Sequence, residues 1–371
     1  MTAAPHDLNG ADAAAYAWPA DGAEAADAPV ATWKPLDLAG YLNGTIKPAQ
    51  ARLMARTDGV HLLYPGHVHS IAGESESGKS MLMLAVVVET IAAGGRVLFI
   101  DYESDPATVV DRLVKMGANP SELADHLDYV QPQTDPVNGP YLEASAWSAI
   151  KATRYELAVL DGVTEALSVS GVASIDNDEV TGWIRRVPRA LARSTGAAVV
   201  LVDHVTKSAE GRGRFAIGAQ SKLSALDGAA FIVEPLAPLG VGMCGRLAVR
   251  VGKDRPGRIR GHGGAWRKSD RTQAVAVAVI DSTDPARIVY RLEPPAREVE
   301  PEAHAVQVEE ERRAAVLAWV RDCPSPPSLN SIISAVPGRK ADTVATVRDL
   351  VEAGERACQL VCVSGVVTGR G

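Results

Sequence analysis

The sequence contains few cysteines and no long apolar run. The cysteines form no Cys-x-x-Cys pair and have no histidine partner at zinc-site spacing, so we expect free thiols in a reducing compartment. They are Cys244, Cys323, Cys358 and Cys362. The longest apolar stretch, Met81–Val88, ends at Glu89 and is too short to span a bilayer. Because the start of the chain also lacks a basic segment, we expect a cytoplasmic protein without a membrane partner.

Positive charge is scarce overall and unevenly distributed. The formal net charge of −7 over 371 residues does not indicate nucleic-acid binding by the chain as a whole. The first 31 residues contain no Lys or Arg, and their Ala, Asp, Gly and Pro content predicts a disordered acidic tail over residues 1–32. Between Arg246 and Arg271, nine basic residues and two acids leave an excess of seven positive charges. This local excess of positive charge in an acidic chain favours an anionic partner or another subunit's phosphates. A solvated arginine-rich hairpin would have the same composition.

Eight residues near position 75 match the pattern G-x-x-x-x-G-K-[ST] between an apolar run and a helical one that begins at Met81. They are Gly73, Glu74, Ser75, Glu76, Ser77, Gly78, Lys79 and Ser80. Glycines let such a loop curl so that backbone N–H groups and the following helix N-terminus face a phosphate. We expect Lys79 to reach the β- and γ-phosphates of a bound nucleotide and Ser80 to bind Mg²⁺. A plain Gly/Ser turn is the alternative.

Helical and strand-like segments alternate after this loop, and most of the strand-like runs are of the apolar, buried type. The predicted strands are 96–101, 127–130, 157–161 and 197–203, and the predicted helices are 81–93, 106–116, 141–152 and 177–194, the last broken at Pro188. Alternation with buried-type strands predicts an α/β fold with a parallel sheet flanked by helices. Further strand-like runs at 228–233, 246–251 and 274–280 are expected to extend the sheet.

A Pro- and Glu-rich stretch indicates a boundary after the predicted sheet. We expect a phosphate-loop domain with its lead-in over residues 33–293, a linker over 294–308 and a small domain over 309–371. Helices are predicted at 312–321, 328–335 and 341–353, followed by strand-like runs at 360–363 and 366–368. Three helices and a hairpin suggest a winged helix.

Polar side chains follow three of the predicted strands. Asp161 ends an apolar run, as a Walker B aspartate does, and is expected to hold Mg²⁺, although a helix-capping role is the alternative. Asp101 and Glu103 follow the neighbouring strand at i and i+2, so both could point to one side, toward the γ-phosphate and its attacking water. Glu103 is our candidate for the base that orients this water. His204 follows a third strand and could sense the γ-phosphate, although such a histidine is often structural. Downstream, Thr206–Lys222 is a Gly-rich basic segment that could touch a nucleic-acid backbone.

In the order of these parts, residues 58–265 resemble the RecA-like ATPase core of hexameric replicative helicases of the DnaB and plasmid RepA type, in its phage, plasmid or actinobacterial forms. By that resemblance, Lys79 and Ser80 correspond to the Walker A residues, Asp161 to Walker B, Glu103 to the catalytic glutamate and His204 to the sensor. A Lys-x-Arg pair that acts on the neighbouring subunit's nucleotide is similar to Lys253 and Arg255, which implies assembly into a ring. The winged-helix-like end lies outside this pattern.

The resemblance implies an ATP- and Mg²⁺-dependent enzyme that couples hydrolysis to unwinding, translocation or remodelling of DNA in replication, with single-stranded DNA as its expected partner. One alternative is a nucleotide-switched DNA-binding regulator or a recombination-type ATPase without helicase activity. A small-molecule P-loop kinase is a further alternative, although it has no evident use for the basic segments or the added domain.

Overall fold

The computed structural model describes residues 33–205, 220–295, 301–323, 328–337 and 339–352. The predicted tail at 1–32 and the predicted hairpin at 360–368 lie outside these residues. The chain divides into two compact units, Met1–Pro48 and Ala49–Gly371. In the first unit the described part contains helix α1 (Ala39–Leu42). No described helix is long and apolar enough to cross a membrane.

The second unit is built on a large sheet, for which the described residues provide ten strands. A separate antiparallel pair, β1 (Leu53–Ala55) and β2 (His61–Leu63), precedes it. The sheet contains β3 (Val68–Gly73), β4 (Val97–Asp101), β5 (Leu127–Val130), β6 (Leu157–Asp161), β7 (Ala198–His204), β8 (Ala229–Ala237), β9 (Cys244–Asp254), β10 (Trp266–Arg267), β11 (Thr272–Asp281) and β12 (Val289–Glu293).

The strand order is β10-β11-β9-β8-β3-β7-β6-β4-β5, and β12 also pairs with β11. From β8 to β5 each strand is parallel to its neighbours. From β8 outward through β9, β11, β10 and β12 the pairing is antiparallel. The structure thus confirms an α/β fold with a mostly parallel central sheet, consistent with a RecA-like P-loop fold. Because parallel strands end at one edge, residues following β3, β4, β6 and β7 come together there.

Helices cover both faces of the parallel part. They are α2 (Lys79–Ala92), α3 (Pro106–Lys115), α4 (Pro120–His126), α5 (Tyr141–Ala152), α6 (Val163–Val169), α7 (Asn177–Arg186), α8 (Pro188–Thr195) and α9 (Gln220–Ala225). Side chains alternate along β6 and therefore pack on opposite faces of the sheet. Leu157 and Val159 pack with α2, α3 and α4, whereas Ala158 and Leu160 pack with α5 to α8. The predicted break at Pro188 separates α7 from α8, because proline has no N–H to continue the helix.

The described C-terminal part consists of α10 (Pro301–Asp322), α11 (Leu329–Ala335) and α12 (Lys340–Glu352), packed around apolar side chains such as Val316, Ile332 and Leu350. The first of these helices begins at Pro301, inside the stretch 294–308 that the sequence predicts as a linker and well before the predicted residue 312. Proline is favoured at the first position of a helix, where its missing N–H costs nothing. The winged helix stays a prediction, since its hairpin is not described.

Candidate active site

The glycine-rich loop joins β3 to α2 as predicted, and its backbone requires glycine at position 78. Gly78 has a φ of +84°, and a Cβ there would lie 2.2 Å from Cδ1 of Leu239. Helix α2 begins at the next residue, Lys79, so its free N–H groups face the curl of the loop. The side chain of Glu76 is exposed, which keeps one of the two acids of the loop turned to solvent. The loop therefore has the geometry of an anion cradle.

The ammonium of Lys79 lies inside this curl. Lys79 is only 5% exposed, and its Nζ donates to the carbonyl oxygens of Gly73 at 3.3 Å and Glu74 at 2.7 Å. Burial lowers its pKa, while the negative charges of Asp161, Glu103 and Asp203 oppose that shift. The buried hydroxyl of Ser77 has no hydrogen-bond partner among the described residues. A fixed cation beside an unsatisfied polar group fits a phosphate ligand.

Asp161 and Ser80 form the part of the site that fits a divalent cation. Asp161 is 2% exposed at the end of β6, and its carboxylate accepts a hydrogen bond from the Ser80 hydroxyl. Burial raises the pKa of Asp161 to about 6, and the Ser80 hydrogen bond opposes this. Within the described residues no group of three or more His, Cys, Asp and Glu side chains could hold a metal. A cation here would thus need phosphate oxygens and water as further ligands, as Mg²⁺ commonly does.

Glu103 and His204 meet beside Lys79. The Nε2 of His204 lies 3.4 Å from Oε1 of Glu103, and its Nδ1 lies 3.5 Å from Nζ of Lys79. Gly162 makes this approach possible, since a Cβ there would lie 2.8 Å from Cγ of Glu103. The histidine therefore bridges the candidate base and the phosphate-binding lysine.

The carboxylate of Asp101 does not take the position beside the γ-phosphate that its spacing from Glu103 suggests. Its Oδ1 accepts the backbone N–H groups of Glu103 at 2.9 Å and Ser104 at 2.8 Å, and its Oδ2 accepts the hydroxyl of Tyr129 at 2.5 Å. The expectation that Asp101 and Glu103 both point toward the γ-phosphate is therefore not met. Asp101 holds the turn that carries Glu103.

The structure also shows an ion pair that was not predicted from the sequence. Lys222 Nζ contacts Asp203 Oδ2 at 2.7 Å, and both side chains are less than a tenth exposed. The other oxygen of Asp203 accepts the backbone N–H of His204 at 2.8 Å. Because Lys222 lies on α9, this pair joins that helix to the strand end that carries His204. The signal in the sequence that could have indicated this pair is a charged residue, Asp203, at the end of the apolar strand β7.

Lys253 and Arg255 lie beside α9. Lys253 Nζ donates to the carbonyl oxygens of Leu223 at 2.7 Å, Ser224 at 3.1 Å and Leu226 at 2.7 Å, at the end of α9. Arg255 is exposed. In the described parts of the chain no hydrogen bond or ion pair joins either residue to the glycine-rich loop. Most of the predicted basic segment Thr206–Lys222 lies outside the described residues.

The site lies in a part of the chain that matches a family of known proteins. A family model described as an AAA domain matches residues 43–210, which include the glycine-rich loop, Glu103, Asp161 and His204 but not Lys253 or Arg255. No curated protein matches the sequence significantly. The family match and the fold support a P-loop nucleoside triphosphatase that binds a nucleotide, usually with Mg²⁺, and hydrolyses ATP.

Ionisation of Asp161 should make binding of MgATP depend on pH. With a pKa of about 6, the carboxylate is charged above that pH and protonated below it, where the proton competes with the cation. We expect affinity for a fluorescent ATP analogue with Mg²⁺ to fall as the pH falls through about 6. The Asp161→Asn variant should bind weakly and keep only the pH dependence of the nucleotide itself. Identical pH profiles for the two proteins would contradict this assignment.

Proposed function

We propose that the protein is a Mg²⁺-dependent ATPase that couples hydrolysis to unwinding, translocation or remodelling of DNA during replication. The observation that carries the ATPase part is the meeting of Lys79, His204 and Glu103, next to Asp161 and Ser80, at the carboxyl edge of the sheet. These side chains come from four separate segments of the chain, and together they match the needs of phosphoryl transfer to water.

Each residue has a role in this proposal. Lys79 and the N–H groups at the start of α2 bind the β- and γ-phosphates, and Ser80 and Asp161 hold the metal. Mg²⁺, when bound, neutralises charge on the phosphate oxygens. Glu103 orients the attacking water, and Asp101 fixes the turn on which Glu103 lies. His204 lies between Glu103 and Lys79 at the end of β7, where it senses whether the γ-phosphate is present.

Ring assembly belongs to the same proposal. Arg255 is exposed, and among the described residues none forms an ion pair with it, so its guanidinium is available to a neighbouring copy. Lys253, two residues earlier, is held on α9 of its own chain and fixes the segment that presents Arg255. An arginine supplied in this way would stabilise charge on the phosphoryl group in a neighbouring site.

The effect of DNA on the rate of ATP hydrolysis tests whether hydrolysis is coupled to DNA. We expect single-stranded DNA to raise the rate of ATP hydrolysis several-fold, in a particle whose measured mass is a multiple of 39.0 kDa. Stimulation in an oligomer that separates a forked duplex would support the helicase assignment. DNA binding without unwinding would favour the nucleotide-switched regulator instead. ATP hydrolysis that DNA does not change would contradict coupling and revive the small-molecule kinase.

A further inference from the structure

A second cleft, of about 380 Å³, lies between α7, α8, α9 and the chain after β9, and four arginines line it. They are Arg185, Arg189, Arg193 and Arg255. Among the described residues, Asp227 is the only acid in its lining. Its volume is in the range of sites that take a small ligand or a segment of a larger one. The nucleotide site described above does not involve the arginines of α7 and α8.

Three of these arginines form a row. Arg185, Arg189 and Arg193 are spaced four residues apart on α7 and α8, and all three line the cleft despite the break at Pro188. Arg189 and Arg193 lie on the same helix, so a rise of 1.5 Å per residue separates them by about 6 Å along its axis, and Arg185 lies across the break on α7. A line of cations fits an extended polyanion better than a compact phosphate ion.

The charges in the cleft are only partly balanced within the chain. Arg189 donates to the carbonyl oxygen of Ala225 and lies 3.6 Å from Asp227, so it forms part of the cleft's own structure. Arg185, Arg193 and Arg255 are exposed, and among the described residues none forms a hydrogen bond or ion pair with them. Even with Arg255 assigned to a neighbouring copy, the two exposed arginines of α7 and α8 place positive charge along one cleft, which favours an anionic ligand.

The basic excess between Arg246 and Arg271 is, by contrast, partly used for bonds within the chain. Arg250 is 9% exposed and donates to Thr272, while Arg267 bonds to Glu234 and Asp270. Arg260 lies over the ring of Trp266 and donates to a backbone carbonyl. The composition of that segment therefore overstates the charge that it offers to a partner, whereas the arginines of α7 and α8 line one cleft together.

We propose that the arginine cleft binds the phosphodiester backbone of single-stranded nucleic acid. The proposal deepens the proposed function and rests on its DNA-coupling part. Residues at the end of α9, Ser224 and Ala225, form one wall of the cleft, and Lys222 of the same helix pairs with Asp203 beside His204. A strand in the cleft would thus contact the helix that is anchored at the nucleotide site.

Binding of fluorescein-labelled oligothymidine tests the proposal, measured by anisotropy over a series of salt concentrations with a non-hydrolysable ATP analogue present. The test protein carries Arg185→Gln and Arg193→Gln. The matched control carries Arg186→Gln and Lys151→Gln, which remove the same two charges outside the cleft lining. Thermal melting of each protein checks that it is folded.

We expect the cleft variant to bind about 10-fold more weakly than the wild type at moderate salt. The slope of log K against log salt should fall by about 1.4, because each contact with a single-stranded phosphate contributes about 0.7. The control should keep both values. Wild-type binding that the cleft variant retains in full would overturn the cleft and leave the proposed function standing. A wild-type protein that hydrolyses ATP without binding the oligonucleotide would overturn both the cleft and the DNA coupling.

Discussion

Replacement of Lys79 by alanine should lower the rate of ATP hydrolysis by about 1,000-fold, the effect expected when a preorganised positive group is removed from a phosphoryl-transfer site. The Lys79 ammonium is held on the carbonyl oxygens of Gly73 and Glu74, so its position is set before a nucleotide binds. In the variant those carbonyl oxygens would face the phosphates without a cation between them. Phosphate release at saturating ATP and Mg²⁺ measures the effect.

Lys115→Ala is the matched control for this variant. Lys115 lies on α3, where it forms a 2.8 Å surface ion pair with Asp111, and such a pair contributes little to stability. We expect the control to hydrolyse ATP at the wild-type rate. Far-UV circular dichroism should show both variants folded. A folded Lys79→Ala protein with undiminished ATPase would refute the assignment of the glycine-rich loop.

Glu103→Gln should separate binding from hydrolysis. Glutamine has the same shape as glutamate and fits the narrow space that Gly162 leaves beside Cγ, but it cannot accept a proton from water. We expect the affinity for ATP to change by less than about threefold, while the single-turnover rate falls by about 10² to 10⁴. Equilibrium binding and quenched-flow hydrolysis on the same preparation measure the two quantities.

The control for this experiment is Glu122→Gln on α4, whose side chain is exposed. It removes the same charge and should hydrolyse ATP like the wild type. If Glu103→Gln hydrolyses ATP at the wild-type rate, Glu103 is not the base. If it loses binding and hydrolysis in equal proportion, Glu103 holds the nucleotide and does not orient water.

The parallel part of the fold and the core of the site were predictable from the sequence, because both depend on local patterns. Apolar runs indicated buried strands such as β6, and the bounds of both β5 and β6 agree with those predicted. Once the strands are parallel, the residues that follow them share one edge. This explains why Lys79, Glu103 and Asp161 could be grouped from the sequence.

What the sequence did not predict depends on contacts between distant residues. The antiparallel direction of β9 and β11 follows from chain reversals that apolar runs do not encode. The Lys222–Asp203 pair and the role of Asp101 in the turn require the positions of both partners. Counting basic residues between Arg246 and Arg271 could not show which guanidinium groups bond within the chain.

The most direct test of the account is a crystal structure of the Glu103→Gln protein with ATP and Mg²⁺. We predict that the β-phosphate lies against the backbone N–H groups at the start of α2, with Lys79 Nζ in contact with the γ-phosphate. The metal should bind the Ser80 hydroxyl at about 2.1 Å, with Asp161 beside it or bound through water. A nucleotide bound elsewhere, or a γ-phosphate remote from position 103, would contradict the account.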